Sequence, residues 1–266
     1  MKKKSKNIDN APWIFPVFFL FLWEFAVEVF QIPAWILPRP TQIIHALWNA
    51  KELIWHHSIQ TILEALIGLF VSVLFGIGVA IFMEWSPFAK KLLYPLLLIS
   101  QTIPFIVLAP LLVIWLGYGI TAKIVIVALV CFFPITINFY DGFRSIDTNI
   151  LRLVHSMKAT KIQVFRFLKL PGALPHFFSG IRLSGTYAVF TAVIAEWIGS
   201  DRGLGILLLR SSKSYVTDRV FAVVGVIMVL SLIVVFIIDR VAKITMPWHY
   251  QNLMKRDVPF GTSLRR

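Results

Sequence analysis

Six long apolar runs, separated by shorter polar stretches, set the pattern of this chain. They cover approximately 12–30, 59–83, 92–116, 121–141, 178–198 and 220–242. A bilayer core about 30 Å thick takes roughly 20 apolar residues in a helix, and each run is near or above that length. Barrel strands would show short alternating segments, whereas these runs are continuous. The pattern predicts an all-α, polytopic membrane protein with six transmembrane helices. Pro104 and Pro110 fall inside the third run, where proline frees backbone carbonyls and kinks a helix. The segment 31–57 contains Pro33, Pro38 and Pro40; it is expected to turn and then form a short helix ending near Trp55. His56 and His57 are adjacent, so a helix would point them to different faces; they are assigned to a polar loop.

Lys and Arg placement orients the spans. With the N-terminus inside, 19 basic residues fall on the inner side and 7, Lys123 among them, on the outer side. Both termini are then cytoplasmic. This divides the chain into a basic N-terminus (1–11), a transmembrane domain (12–245) and a C-terminal tail (246–266). The basic start resembles the first part of a signal peptide, but no small-residue cleavage site follows, which favours a retained first span.

Composition supports a membrane class. Hydrophobic residues make up 58% and charged residues 15%, against about 25% charged in ordinary soluble domains. The net charge of +13 sits in loops between apolar runs, which is the positive-inside pattern rather than a nucleic-acid surface. Cys131 is the single cysteine and excludes an intrachain disulfide or a Cys-based metal site. The six histidines have no ligand spacing, so no metal centre is expected.

The longest polar segment, 143–177, has internal order. Asp147 or Thr148 is placed to cap a helix. Ile150, Leu151, Leu153, Val154 and Met157 form one apolar face at helical spacing. Ile162, Val164, Phe165, Phe167 and Leu168 resume the pattern after Lys158–Lys161, and Pro171 is expected to end it. Two short amphipathic helices result. They suit either a lipid surface or the groove of a soluble partner.

Residues 158–175, Lys-Ala-Thr-Lys-Ile-Gln-Val-Phe-Arg-Phe-Leu-Lys-Leu-Pro-Gly-Ala-Leu-Pro, resemble the coupling loop of ABC importer permeases. Ala159, Gln163, Leu170, Pro171 and Pro175 match that loop. Arg152 stands where the family has a glutamate, and Lys158 where it has a glycine. Further segments extend the resemblance to the nitrate/sulfonate/taurine branch: Leu37-Pro38-Arg39-Pro40-Thr41, Gln101-Thr102-Ile103-Pro104, Ala109-Pro110-Leu111, Trp115-Leu116-Gly117, Glu196-Trp197-Ile198-Gly199 and Gly203-Leu204-Gly205. Phe132-Phe133-Pro134-Ile135, Asp218-Arg219-Val220-Phe221 and Met246-Pro247-Trp248 are most similar to permeases for pyrimidine precursors of thiamine.

The resemblance implies a type I importer permease fold in a bacterial plasma membrane. It implies a homodimer that works with two ABC ATPase subunits and an extracytoplasmic solute-binding protein. No GxxxxGK[ST] loop occurs, so ATP and Mg belong to the ATPase, and this chain is a transport subunit rather than an enzyme. The coupling residues implied are Arg152, Ser156, Met157, Lys158, Ala159, Thr160, Lys161, Gln163, Arg166 and Pro171. Residues 156–163 would sit deepest in the ATPase groove, with Arg152 and Arg166 at its rim.

Polar residues inside spans are costly and often functional. Gln101, Thr102, Pro104, Asn138 and Glu196 are the pathway candidates. Glu64 is read as a helix-start carboxylate reaching toward water. Glu24 and Glu28 lie four apart and share a helical face. Gly76, Gly78, Gly180 and Ser184 mark small surfaces for helix contact. An ion-driven secondary transporter would need coupling carboxylates deep in the bundle, and here they cluster near span ends. A membrane enzyme would need a catalytic array, and none is legible. The expected solute is a hydroxymethylpyrimidine-type thiamine precursor; an alkanesulfonate, taurine or nitrate is the alternative.

Overall fold

The computed structural model describes residues 11–249. The ends of the chain, including the basic N-terminus and most of the C-terminal tail, lie outside those residues. The described elements are all helical: α1 (Ala11–Val29), α2 (Pro40–Asn49), α3 (Lys51–Trp85), α4 (Pro87–Ser100), α5 (Phe105–Leu116), α6 (Ile120–Arg144), α7 (Thr148–Ser156), α8 (Lys161–Val164), α9 (Leu170–Glu196), α10 (Leu204–Lys213) and α11 (Thr217–Thr245).

Four stretches are long and apolar enough to cross a bilayer: α3, α6, α11, and the run Lys161–Glu196 that ends with α9. The bent pair α4–α5 makes a fifth. The first apolar run is the 19-residue helix α1, at the edge of the described residues. The third run was expected to be one kinked helix. It is instead broken at Gln101–Pro104, and its two halves meet at 104°. The segment after α1 also differs from expectation. The short helix ends at Asn49, and α3 begins at Lys51. His56 and His57 therefore lie within α3, not in a loop, because nothing between Lys51 and the apolar run breaks a helix.

Helices α3, α6 and α9 form the core. The core is built on small residues that let backbones approach, the usual device where lipid removes the hydrophobic drive between helices. A Cβ placed on Gly180 of α9 would stand 3.0 Å from Asn138 Cβ and from the Pro134 carbonyl oxygen of α6. Gly68 and Gly76 of α3 meet Val127 and Ile135 of α6 in the same way. Gly78, read as part of this surface, has open space beside it. Ser184 Oγ donates to the Cys131 carbonyl at 2.9 Å, and Cys131 is buried in the same core. The Phe139, Phe143 and Phe177 rings complete it toward the α7 end.

Helix α1 is tied to the start of α2. Glu24 accepts from the backbone and side chain of Thr41 at 3.2 and 2.8 Å. Glu28 lies 3.8 Å from Arg39. The shared face of these two carboxylates is thus directed at one turn of the chain.

At the opposite end from α7, a polar knot is sealed inside the bundle. Glu64 was expected to reach water, yet it is 0% exposed. Its Oε1 accepts from Lys123 Nζ at 3.0 Å and from Gln60 Nε2 at 2.7 Å. Lys123 is not a solvated loop charge; it sits in the first turn of α6 and also donates to Ser200 Oγ at 2.6 Å. A carboxylate buried at this depth is costly unless it is paired or hydrogen-bonded, and Lys123 is the cation paired with Glu64. Removing one partner strands the other, which costs about 3–5 kcal/mol. We expect Lys123→Met to lower the thermal midpoint of the purified protein sharply. The double variant Lys123→Met/Glu64→Leu is expected to recover most of the loss. Equal destabilisation by the single and double variants would show that the pair is not what holds this end.

Candidate coupling surface and translocation cleft

The α7–α8 loop is an ordered, exposed ledge. Asp147 caps α7, its side chain accepting from Asn149 N at 2.8 Å. At the other end of α7, the Ala159 N–H donates to the Val154 carbonyl and the Lys158 N–H to the His155 carbonyl. Those two bonds form a Schellman motif, whose following residue takes a left-handed conformation and is usually glycine. Here it is Lys158, at φ +61°. The departure noted in the sequence therefore keeps the glycine geometry, at a cost of roughly 1–2 kcal/mol for a side-chain-bearing residue. Thr160 then caps α8 in a capping box with Gln163: Thr160 N donates to Gln163 Oε1 at 2.8 Å, and Gln163 N to Thr160 Oγ1 at 3.3 Å.

Pro171 does not end the helical run. A π turn, Phe165–Lys169, leads directly into α9, with Pro171 in its first turn. A proline ring clashes with the carbonyl four residues back in a regular α-helix; the wider turn relieves that contact, so the chain stays helical. The free ledge is accordingly 145–169, shorter than the 143–177 segment read from the sequence.

The ledge is anchored from beneath. Val164 is buried, Phe165 packs on Trp85 and Phe143 with ring centroids 5.7 and 5.5 Å apart, and Lys169 pairs with Glu84. A cavity of about 400 Å³ lies between the ledge and the end of α3, walled by Glu84, Trp85, Leu151, His155 and Phe165. The upper face is different. Leu153, Met157, Ile162 and Phe167 are 61–74% exposed, among exposed Arg152, Ser156, Lys158, Thr160, Lys161, Gln163 and Arg166. Ala159 and Pro171 are half-buried.

A second feature lies midway along the bundle. The break between α4 and α5 opens a cleft of about 220 Å³ against α6 and α9, lined by Gln101, Phe105, Val130, Phe133, Pro134 and Tyr187 among others. Thr102 and Pro104 belong to the same break; Thr102 Oγ1 donates to the Ile99 carbonyl at 2.7 Å. Asn138 lies one turn beyond, its amide donating to the Pro134 carbonyl at 2.8 Å.

Glu196 is not at this cleft. It is 0% exposed in the polar knot. Its Oε1 accepts from Thr61 Oγ1 at 2.6 Å and its Oε2 from the Gly205 N–H at 2.5 Å. Leu204 N donates to Thr61 Oγ1, and Gly203 N to His57 Nδ1. Gly203 has φ +126°, and a Cβ there would lie 2.1 Å from the Glu196 carboxyl carbon. The Glu196–Gly199 and Gly203–Gly205 segments thus close on each other, pinning the α9–α10 turn to the start of α3.

These features match known proteins. Residues 72–245 match the family described as binding-protein-dependent transport system inner membrane component. The chain belongs to that family. It is 36% identical over 220 residues to a probable ABC transporter permease protein of Haemophilus influenzae, covering 83% of this chain and 90% of that protein. It is 35% identical over 249 residues to the formylaminopyrimidine transport permease protein ThiX of Halalkalibacterium halodurans, covering 93% and 98%. The taurine transport system permease protein TauC of Escherichia coli is 30% identical over 237 residues, covering 86% of each. The fold is that of the type I importer permease in the inward-facing MetNI methionine ABC transporter, with a TM-score of 0.56 at 21% identity over 74% of this chain and 96% of that one. The protein is therefore the membrane-spanning subunit of a multi-pass, plasma-membrane ABC importer, and a separate chain hydrolyses ATP.

Lys158 gives this permease a local test. Lys158→Gly removes the left-handed strain and is expected to stabilise the purified protein by about 1 kcal/mol, read as a rise in thermal midpoint. A fall would mean that the lysine side chain contributes a contact outweighing its backbone strain.

Proposed function

We propose that this permease imports a pyrimidine precursor of thiamine, of the hydroxymethylpyrimidine or formylaminopyrimidine kind. The observation that carries the reading is similarity along nearly the whole chain to the formylaminopyrimidine permease, spanning both the ledge and the cleft. The likeness to the taurine permease favours a second reading, a taurine or alkanesulfonate importer, with nitrate in the same group.

The ledge is the coupling element of this importer. Its underside is fixed by Val164, Phe165 and the Lys169–Glu84 pair. Its exposed apolar stripe, edged by Arg152 and Arg166, enters a groove on the ATPase as an amphipathic helix enters a hydrophobic groove. Ser156, Met157, Lys158, Ala159, Thr160, Lys161 and Gln163 sit deepest, and Pro171 marks where the ledge joins the spanning helix. The ledge end is cytoplasmic and the polar knot faces the solute-binding protein, with both termini inside and the tail beyond 245 as a cytoplasmic extension. Two copies of this chain form the membrane unit above two ATPases. ATP with Mg closes the ATPase pair; because the closed pair prefers one arrangement of the ledges, ATP shifts the bundle between its two access states. Gln101, Thr102, Pro104 and Asn138 stand at the pathway, and Glu196 holds the turn that frames its outer mouth.

Uptake of labelled hydroxymethylaminopyrimidine by cells with and without this gene tests the reading. Uptake is expected to disappear on deletion and on ATP depletion, to survive an uncoupler, and to be absent in an Ala159→Arg strain with normal amounts of permease. Gene-dependent uptake of taurine or an alkanesulfonate in place of the pyrimidine would select the second reading. Normal uptake by Ala159→Arg would remove the ledge from coupling.

A further inference from the structure

We infer that the cleft at the α4–α5 break is a solute-binding site for a small, uncharged heteroaromatic ring. The inference rests on the importer reading above and names how its solute is held. Non-helical backbone at bilayer depth is tolerated where it is buried in protein or lines a cavity. The break at Gln101–Pro104 is such a stretch, and it opens on the cleft.

The walls select the ligand. Phe105, Phe133 and Tyr187 line the cleft. Phe105 is held edge-on by Phe190 at 6.3 Å, and Phe133 by Phe132 at 5.3 Å. Rings held by other rings present faces on which a planar ligand stacks. The volume of about 220 Å³ suits one substituted six-membered ring, since an apolar cavity of roughly 150 Å³ takes a benzene.

Polar groups are few and neutral. The side chain of Gln101 makes no hydrogen bond to the described residues, and its carboxamide offers one donor and one acceptor in a plane. That pair matches the edge of an aminopyrimidine, where a ring nitrogen accepts beside an amino group that donates. Pro134 has no N–H to give to the Val130 carbonyl four residues back, and both residues line the cleft, so this oxygen lacks its helical donor and is available to the amino group. No Lys, Arg or His lines the cleft. A sulfonate or nitrate would enter as a full charge with no counter-charge, which is heavily disfavoured in a largely apolar site. The partial charge at the start of α5 is enough to orient a ring nitrogen but does not replace a cation.

Saturation binding of labelled hydroxymethylaminopyrimidine to the detergent-solubilised permease–ATPase complex tests the inference. Ethanesulfonate serves as competitor, and uptake in cells is measured alongside. The ring compound is expected to bind and ethanesulfonate not to displace it. Gln101→Leu, at an exposed position, is expected to weaken binding about tenfold through loss of its hydrogen bonds, and Phe133→Leu about tenfold or more through loss of stacking. Thermal midpoints of the complexes report whether either variant is misfolded; if Phe133→Leu is, Gln101→Leu carries the test. Cellular uptake of the ring compound combined with unchanged binding by a folded Gln101→Leu, or with no binding to the complex at all, overturns the cleft assignment and leaves the solute reading standing. Absence of ring uptake in cells overturns the solute reading and this inference with it.

Discussion

Polar groups inside a bilayer have no water to turn to, so it is costly to leave one without a partner in the protein or a place in a wet cavity. That constraint organises this permease. At one end it draws Glu64 and Lys123, from different helices, into a sealed pair, and it occupies both oxygens of Glu196 with Thr61 and the Gly205 N–H. In the middle it makes the break at Gln101–Pro104 tenable only because a cleft lies beside it. The knot fixes the α9–α10 turn to α3 and α6, the three core helices pack through glycines, and the cleft is left as the one interruption of a helix at depth among the described residues.

The opposite end obeys a different rule. The ledge 145–169 is anchored by Val164, Phe165 and Lys169 yet exposes Met157, Ile162 and Phe167. Exposed apolar side chains edged by cations suit the groove of a partner, the role proposed for them. Because α8 runs through a π turn into α9 without a break in helicity, the proposed coupling has a direct route from the ledge to a spanning helix and, across the glycine contacts, to α6 and the wall of the cleft. In that proposal the lever works between two discrete arrangements of the bundle, and the ATPase supplies the bias between them.

Much of this was legible in the sequence. Long apolar runs placed the spanning helices, and the motif around Lys158–Pro171 placed the ledge. What was missed has physical reasons. Lys123 stands at the end of an apolar run, where a solvated interfacial charge looks the same as a buried one; only the intramembrane Glu64, 59 residues away, demanded a partner. His56 and His57 looked polar enough for a loop, although no helix breaker separates them from α3. A proline ordinarily stops a helix, and no local signature announces the π turn that admits Pro171. The third run reads alike whether kinked or broken, because apolar composition does not encode a 104° bend. Lys158 stands where the family has a glycine, and the sequence does not say what becomes of the turn; the backbone kept the left-handed geometry and absorbed the strain.

If the ledge is where this permease meets its ATPase, the contact shields the ledge backbone from solvent. Hydrogen–deuterium exchange of the purified permease, alone and with its ATPase, measures this most directly. Adding the ATPase is expected to slow exchange strongly across 148–163 and to leave the region of the polar knot unchanged. Unaltered exchange across the ledge in a complex that still forms would place the contact elsewhere on the permease.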